Sequence, residues 1–526
     1  MNVSIIIKSF INSSFTHDLG EDMPAVCLYF QVHQPMRIKS FYSPHSISLE
    51  IPPDKLSDFY FGRDENRAIF EKVSDKCYIP AGNILLDLIY DMKDNGVEFK
   101  ITFSLTGVFI EQASEFRPEV LDIFHRLVKT GSVELLGETY YHSLASFISR
   151  DEFVEQIKMH RKLMLDEFGY RPSVFRNTEL LYNNKIAEIA EQLGFKGVIT
   201  EGVDWVLGWR SPNYIYRPPN ASIKILLKNY MLSDDIAFRF SARWWDKWPL
   251  TAEKFVSWLS DIQGQTINLF MDYETFGEHH WEDTGIFEFL RSLPYRIASV
   301  PHLEFATPSE IVEKYESAGV FDIPEPAWIS WADAERDESA WLGNHIQRMC
   351  FRELQNLESP VKSLKNRTML RIWRLLQTSD HFYYMSTKGL SSGNSSDGNV
   401  HGYFSHFDDP YTAAMNYLLV LSDFKSRLMS IMRKTEPDSR RIKEVLISVV
   451  LQAEHESYID VEAIANETGV PKDRICNIIE DLRRQGFLSG DSITEKGRAA
   501  INLFSVFPPE QAFHFFYSHG RYAGKS

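Results

Sequence analysis

The sequence has few cysteines and no long apolar run. Its four cysteines, in 526 residues, lie far apart and show neither metal-ligand spacing nor a disulfide framework. No stretch approaches the ~20 consecutive apolar residues that span a bilayer. The apolar stretch at residues 5–7 is too short for a signal peptide. We therefore predict a soluble, cytoplasmic protein that does not interact with membranes.

The sequence also lacks an excess of basic residues. It carries 56 Lys and Arg against 72 Asp and Glu, which gives a net charge of −16. Such a surface repels phosphate backbones, so nucleic acid is not expected as a partner. Aromatic residues are abundant at 13%, including 11 Trp. They suit large cores, and equally stacking against the apolar faces of sugar rings.

Residues 24–310 alternate between apolar strands and helices. Near-continuous apolar strands indicate burial on both faces, and their alternation with helices predicts an α/β barrel with parallel strands. The clearest helix is predicted over 185–193, with Asn183 and Asn184 as its cap and Gly194 at its end. The predicted strands cover residues 25–32, 99–105, 132–137, 174–178, 197–200 and 266–271.

The sequence changes character beyond residue 310. Residues 311–433 are predicted to be mostly helical, and residues 434–505 resemble a winged-helix domain. Over 436–498 this domain has 13 acidic and 9 basic residues, a balance that favours a protein contact over DNA binding. Residues 1–22 are expected to be an extension, and 506–526 a tail.

Polar clusters follow the predicted strands, where a barrel gathers its functional side chains at one end. Each cluster is weak evidence alone, because most of the 72 carboxylates lie on the surface. Five clusters contain acids or histidines, and all but the first also contain aromatic residues. They are residues 32–35, 137–142, 175–182, 270–279 and 377–385.

In this order, the five clusters resemble the five sequence regions of glycoside hydrolase family 57. The strings GETYYHSL, FRNTELLYNN, FMDYETFGEH and QTSDHFYYM are similar to its α-amylase-type branch, and the resemblance covers about residues 24–430. It implies an incomplete (β/α)7 barrel, here 23–310, and a helical region that completes the active site, here 311–433. It also implies cleavage of α-glucosidic bonds with retention of configuration, without a metal or cofactor. The substrate would be an α-glucan or maltooligosaccharide.

The resemblance assigns roles residue by residue. The nucleophile falls on Glu179 and the general acid/base on Asp272. His33, Glu138 and His142 fall on substrate-contacting positions, and Asp380 lies in the fifth region. The family also includes 4-α-glucanotransferases and branching enzymes, so transglycosylation remains the alternative outcome.

Further substrate contacts follow from residue chemistry alone. Trp245, like Trp244 and Trp281, either stacks against a sugar or packs in a core. His279 and the other histidines are candidate donors of hydrogen bonds to sugar hydroxyls.

A retaining mechanism needs one ionised and one protonated carboxyl group, roughly 5–5.5 Å apart. We expect a raised pKa for Asp272 if Glu179, Glu274 and Glu278 lie near it. Glu274 is the rival acid, since it lies two residues further on. Arg176 would help to keep Glu179 ionised if it faces the same pocket; Glu179 as a mere capping acid is the alternative.

Two other classes of function stay open. His33, His142, His279 and Asp272 are plausible Zn²⁺ or Mn²⁺ ligands of a metal-dependent polysaccharide deacetylase. A sugar-sensing regulator, with the barrel as sensor and the winged helix as output, is the second.

Overall fold

The computed structural model describes residues 24–41, 51–388, 405–435, 445–446, 448–453 and 458–498. The expected N-terminal extension and C-terminal tail lie outside these residues. The chain divides into two compact units, residues 1–423 and 424–526. Across the described residues, no helix combines the length and the apolar character needed to cross a bilayer.

The larger unit is a mixed α/β structure with parallel strands. Its strands are β1 Ala25–Val32, β2 Ile101–Leu105, β3 Val133–Leu135, β4 Val174–Arg176, β5 Gly197–Glu201, β6 Tyr216–Arg217, β7 Lys224–Lys228, β8 Thr266–Asp272, β9 Glu304–Phe305 and β10 Gly319–Val320.

Helices separate the strands and dominate the region after β10. In chain order they are α1 Leu56–Tyr60, α2 Arg63–Val73, α3 Ile79–Asp94, α4 Gly107–Phe116, α5 Pro118–Lys129, α6 Ala145–Ile148, α7 Arg150–Phe168, α8 Asn184–Gln192, α9 Asp204–Leu207, α10 Tyr230–Ala237, α11 Ala252–Ser260, α12 Ile286–Ala298, α13 Pro308–Lys314, α14 Ser339–Leu342, α15 His345–Gln355, α16 Glu358–Leu364, α17 Arg367–Leu375, α18 Ser379–Tyr383 and α19 Pro410–Thr435.

The strands form two mainly parallel sheets, and the two sheets are joined at both of their edges. One has the order β3-β2-β1-β8, and the other the order β4-β5-β7, with β6 antiparallel to β7. A parallel bridge between Gly137 and Phe175 links β3 to β4. At the opposite edges, the backbone N–H of Asn229 donates to the backbone carbonyl of Asn268 (2.9 Å), which links β7 to β8. Seven strands are thus connected in a ring, and their carboxyl ends point to one side.

Strand alternation decides which side chains face the inside of this ring. Ala25, Cys27 and Tyr29 of β1 pack inward with Val174 and Phe270. The intervening residues of β1, Val26, Leu28 and Phe30, pack outward against helices α2 to α5. The same alternation turns the last or second-last residue of six strands inward. These inward polar residues are Gln31, Ser104, Arg176, Glu201, Lys228 and Asp272.

The observed elements agree with the predicted α/β class, and their limits differ by a few residues. Strand β4 ends at Arg176, two residues earlier than expected, because Thr178–Leu180 forms a single 3₁₀ turn. The predicted helix 185–193 is α8, capped by the side chain of Asn183 on two backbone amides.

The smaller unit has a core of its own. Residues 445–446 and 448–453 are helical, and α20 Val461–Thr468 and α21 Lys472–Arg484 follow, with Gly469 between them. Strands β11 Leu488–Ser489 and β12 Ser492–Ile493 form an antiparallel hairpin. Val449, Ile464 and Ile475 are among its fully buried residues.

Candidate active site

Glu179 lies in a strained turn directly after β4. Its φ of 57° and the φ of 53° at Leu180 are left-handed, a conformation that costs ordinary residues about 1 kcal/mol or more. Pairing with another segment holds the turn, since the amide of Trp331 donates to the carbonyl of Glu179 and Tyr182 forms a bridge with Ile329. The strained backbone therefore fixes the direction of one acidic side chain.

Three side chains donate hydrogen bonds to the Glu179 carboxylate. His142 Nε2 and the Ser379 hydroxyl reach Oε1 at 3.1 and 2.9 Å, and the indole N–H of Trp331 reaches Oε2 at 2.7 Å. The side chain keeps 17% of its surface exposed. Burial alone would raise the pKa of Glu179, but the hydrogen bond and charge of His142 and the charge of Arg176 hold it below its ordinary value. Glu179 is thus an ionised carboxylate that remains accessible.

Asp272 has the opposite environment. It is the last residue of β8, half-buried, and within the described part of the chain its carboxyl group receives no hydrogen bond. Burial and the negative charge of Glu179 raise the pKa of Asp272 to about 6. The expected shift is confirmed in direction, with burial as its largest cause. Asp272 therefore holds a proton more readily than an ordinary aspartate does.

Of the three acids expected to raise the pKa of Asp272, Glu179 is among the largest causes, and Glu274 and Glu278 are not. Glu278 forms ion pairs with Lys72 and Lys76 on the far side of its loop, at 2.7 and 3.5 Å. These ion pairs offset the negative charge of Glu278.

Glu274, the rival acid, is buried behind Asp272. The Tyr78 hydroxyl donates to its Oε1, and Gln34 in turn donates to that hydroxyl at 3.0 Å. Burial and the charge of Asp272 raise the pKa of Glu274 to about 8. Glu274 is 7% exposed, so a substrate oxygen reaches Asp272 more easily than Glu274.

His142 lies between two carboxylates. Its Nε2 faces Glu179, and its Nδ1 lies 3.4 Å from Oε2 of the fully buried Glu138. Burial lowers the pKa of His142, but these two hydrogen bonds outweigh it and raise the pKa to about 9. The Arg176 guanidinium lies 3.8 Å from Glu138 and completes the charge balance. His142 is therefore a cationic donor that stabilises the ionised form of Glu179.

His33 and Asp380 belong to the same cluster, although they are 347 residues apart in the sequence. The two imidazole rings of His33 and His142 stack at 4.1 Å, and His33 Nε2 lies 3.1 Å from Oδ2 of Asp380. Thr106 lies 2.9 Å from His33 Nδ1 and orients its ring. The structure thus brings together Glu179, His33, Glu138, His142 and Asp380, as the sequence predicted, and the charge of Glu179 acts on Asp272.

Two predicted substrate contacts are not brought into this cluster. Trp245 packs against the hydrophobic core, with its ring 6.2 Å from that of Trp258. His279 is partly buried, and burial with the charge of His280 lowers its pKa to about 3. Trp244 and Trp281 are exposed. Sugar contacts by these residues stay predictions.

Trp331 and Ser379 are the functional side chains that sequence reasoning missed. Trp331 stands in the segment WISWADAERD, outside the five clusters, so no local motif marked it. Ser379 precedes Asp380 inside the fifth cluster, where the neighbouring acid is the stronger chemical signal. Both contacts to Glu179 are long-range in sequence, and only the fold brings them together.

One group in the described residues has the spacing of metal ligands: His33, His142 and Asp380, with ligand atoms within 4.8 Å of one another. It differs from the set expected for a deacetylase, because His279 and Asp272 are not part of it. A metal ion bound to His142 would have to displace one of its two ring protons, of which one faces Glu138 and the other Glu179. The histidines are better suited to donate hydrogen bonds.

The arrangement offers one ionised and one protonatable carboxyl group at the carboxyl ends of two strands. A glycosidase that works through two successive displacements requires such a pair of carboxyl groups. The profile of the family described as Glycosyl hydrolase family 57 matches residues 27–324, more than half of the chain. The chain belongs to this family and is a glycoside hydrolase.

Curated relatives agree with this assignment. A Methanocaldococcus jannaschii protein named "Putative alpha-amylase" is 50% identical over 418 residues, which cover 78% of this chain and 86% of that protein. An α-amylase of Pyrococcus furiosus is 22% identical over 58% of this chain. The match spans only 45% of the length of that Pyrococcus protein.

Solved structures share the fold at low sequence identity. The branching enzyme of Pyrococcus horikoshii has a TM-score of 0.54 at 15% identity, covering 86% of this chain and 95% of that chain. The branching enzyme of Thermococcus kodakaraensis has a TM-score of 0.53, also at 15% identity, covering 90% and 97%.

Proposed function

We propose that this glycoside hydrolase cleaves α-glucosidic bonds in α-glucans and maltooligosaccharides with retention of configuration. Glu179 is the nucleophile and Asp272 the general acid/base. The observation that carries the proposal is the contrast in hydrogen bonding, with three donors on Glu179 and none from the described residues on Asp272. The names of the amylase relatives support the choice of substrate.

In the first step, Asp272 gives its proton to the glycosidic oxygen while Glu179 attacks the anomeric carbon. The bond to the leaving sugar breaks, and an ester to Glu179 forms. The ester carries no charge at Glu179. The pKa of Asp272 then falls, because the charge of Glu179 was one of the two causes that raised it, with burial as the other. Asp272 is now a carboxylate and removes a proton from the water that hydrolyses the ester.

The substrate-binding roles of His33, Glu138, His142 and Asp380 belong to the same proposal. His142 contacts two carboxylates, and the ring of His33 is oriented by Thr106 and Asp380. One carboxylate oxygen of Asp380 contacts His33, and the other has no hydrogen-bond partner in the described part of the chain, which suits it to a sugar hydroxyl. The less supported contacts are those of His279 and Trp245.

We also propose that the strand ring is an incomplete (β/α)7 barrel and that residues 311–433 complete its active site. Trp331, Ser379 and Asp380, all from this later region, contact Glu179 or His33 and support the second statement. The order of three helices and a hairpin supports a winged-helix domain within 434–505. Lys472, Arg483 and Arg484 form ion pairs with neighbouring acids, which favours a protein contact over DNA. A cytoplasmic location stays a prediction.

A Glu179→Gln variant tests the nucleophile. It should lose essentially all turnover and keep its melting temperature, while the control Glu188→Gln on α8 behaves as the wild type. Azide should partly restore the activity of Glu179→Gly and yield a glycosyl azide of inverted configuration. Wild-type rates in Glu179→Gln, or an azide product of retained configuration, would contradict the assignment.

Transglycosylation is the second candidate, supported by a 4-α-glucanotransferase of Thermococcus litoralis that is 22% identical over 58% of this chain. Product analysis on maltooligosaccharides and soluble starch separates the two. Hydrolysis yields new reducing ends, whereas transfer yields longer oligosaccharides without them.

A further inference from the structure

Two tryptophans in the segment after β5 are strongly exposed. Trp205 keeps 64% and Trp209 95% of its surface accessible. Tryptophan is usually largely buried, since its indole gains much free energy when removed from water. Neither ring contributes to a core, so packing does not explain the presence of two tryptophans here.

The backbone that carries these rings is firmly held. Arg210 donates hydrogen bonds to the carbonyls of Val206 and Leu207 at 2.7 and 3.1 Å, and also to that of Val320. Leu207 is buried in the core between strands and helices. The two exposed rings therefore project from an ordered support, which reduces the entropy lost when a ligand binds.

A chain of contacts connects this segment to the nucleophile. Trp331, which donates to Glu179, lies below Lys228 Nζ, 5.5 Å from the ring centre. Lys228 forms an ion pair with Asp234 at 2.9 Å, and Arg336 bonds the other oxygen of Asp234 at 3.0 Å.

The chain continues from there to the tryptophans. The guanidinium of Arg336 lies 4.0 Å over the ring of Tyr230, and the Tyr230 hydroxyl donates to Asp204 at 2.6 Å. Asp204 is the residue before Trp205. The segment that carries the exposed rings thus lies on the side of the ring where strands β5 and β7 end, linked to the nucleophile by this chain of contacts.

We propose that Trp205 and Trp209 form an outer binding site for the glucan chain that extends beyond the sugar at the catalytic pair. Flat indole faces suit the apolar faces of glucose rings, and an ordered pair of them holds consecutive or nearby sugars of one chain. The inference rests on the proposed function, because it takes an α-glucan as the substrate. It adds that long chains are bound more tightly than short ones, through this pair.

The test compares soluble amylose with maltotriose as substrates of the full chain. The variants are Trp205→Ala, Trp209→Ala and the double variant. Tyr411→Ala, which removes a similarly exposed aromatic ring on α19, is the control. Melting temperature and maltotriose turnover report whether each variant is folded.

The double variant should raise KM for amylose about tenfold, with kcat unchanged, from the loss of two stacking contacts. Its kcat/KM for maltotriose should match that of the wild type, and Tyr411→Ala should behave as the wild type on both. An unchanged KM for amylose, or an equal loss on both substrates, would overturn the outer site and leave the proposed function standing. Loss of self-association in the variants, with unchanged KM for amylose, would assign the rings to a protein contact. Failure of the wild type to cleave either glucan would refute the proposed function, and this inference with it.

Discussion

Two carboxyl groups of similar chemistry acquire different charges through their neighbours. Glu179 has a cationic His142, a tryptophan N–H and a serine hydroxyl, whereas Asp272 has burial and a negative neighbour. Hydrogen bonds to the charged form lower a pKa, and desolvation with like charge raises it. The proposed roles of Glu179 as nucleophile and Asp272 as acid follow from these surroundings.

The pH dependence of kcat/KM should report the two groups. Asp272 must be protonated in the first step, so the rate should fall as the pH rises through about 6. Glu179 must be ionised, and because its pKa is lowered, the acid limb should lie below the ordinary value of 4.5. Initial rates at substrate concentrations well below KM measure the profile. A rate that stays constant from pH 5 to 8 would contradict the role of Asp272.

Trp331→Phe should weaken catalysis while the turn stays folded. The indole N–H is the donor to Oε2 of Glu179, and a hydrogen bond to a charged group contributes roughly 1.5–3 kcal/mol. We expect kcat/KM to fall about tenfold or more, with the acid limb moving to higher pH.

Trp328→Phe, three residues earlier and packed against Phe147, is the matched control and should have little effect. Wild-type kcat/KM and an unshifted acid limb in Trp331→Phe would show that its hydrogen bond is unimportant.

At the scale of elements, the strands and the residues at their ends could be predicted, and the helical contacts could not. Apolar runs ending in His33, Glu138, Glu179 and Asp272 mark the carboxyl ends of strands locally in the sequence. The left-handed turn at Glu179 has no such mark, because the partner that stabilises it, around Ile329, lies about 150 residues away. The role of Trp245 could not be decided from the sequence, because an aromatic residue suits a core as well as a sugar.

The loop after β8 depends on a glycine at position 277. A Cβ there would lie 1.9 Å from the carbonyl oxygen of Lys76, and the φ of 116° is unfavourable for any other residue. Gly277→Ala should destabilise the protein by roughly 2–4 kcal/mol, which thermal unfolding measures. Gly194→Ala, at a φ of 82° with open space around it, should cost only about 1 kcal/mol. Equal melting temperatures of the two variants would contradict this account of the loop.

At the scale of the whole molecule, the side chains of the proposed site come from only part of the chain. The side chains of the site lie between His33 and Asp380, within the unit 1–423, and the smaller unit has its own core. The sequence places a change in character at residue 433, whereas the two units divide at residue 423, and the predicted domain limits stay a prediction. The partner of the smaller unit could not be predicted, because no local motif in its sequence marks a binding surface.

A chain ending after Thr435 should therefore keep its activity. We expect kcat/KM on maltooligosaccharides equal to that of the full chain, measured beside circular dichroism to show that the shortened chain is folded. A folded, inactive chain would mean that residues 436–526 take part in catalysis.

Trapping the covalent intermediate tests the central claim most directly. A fluorinated glucosyl fluoride, chosen so that the enzyme ester forms faster than water hydrolyses this ester, should add the mass of one fluorinated glucosyl group to the protein. After proteolysis, mass spectrometry should find this mass on the peptide that contains Glu179, and Glu179→Gln should not be labelled. A label on Asp272 or Glu274, or no label together with an inverted product, would contradict the account.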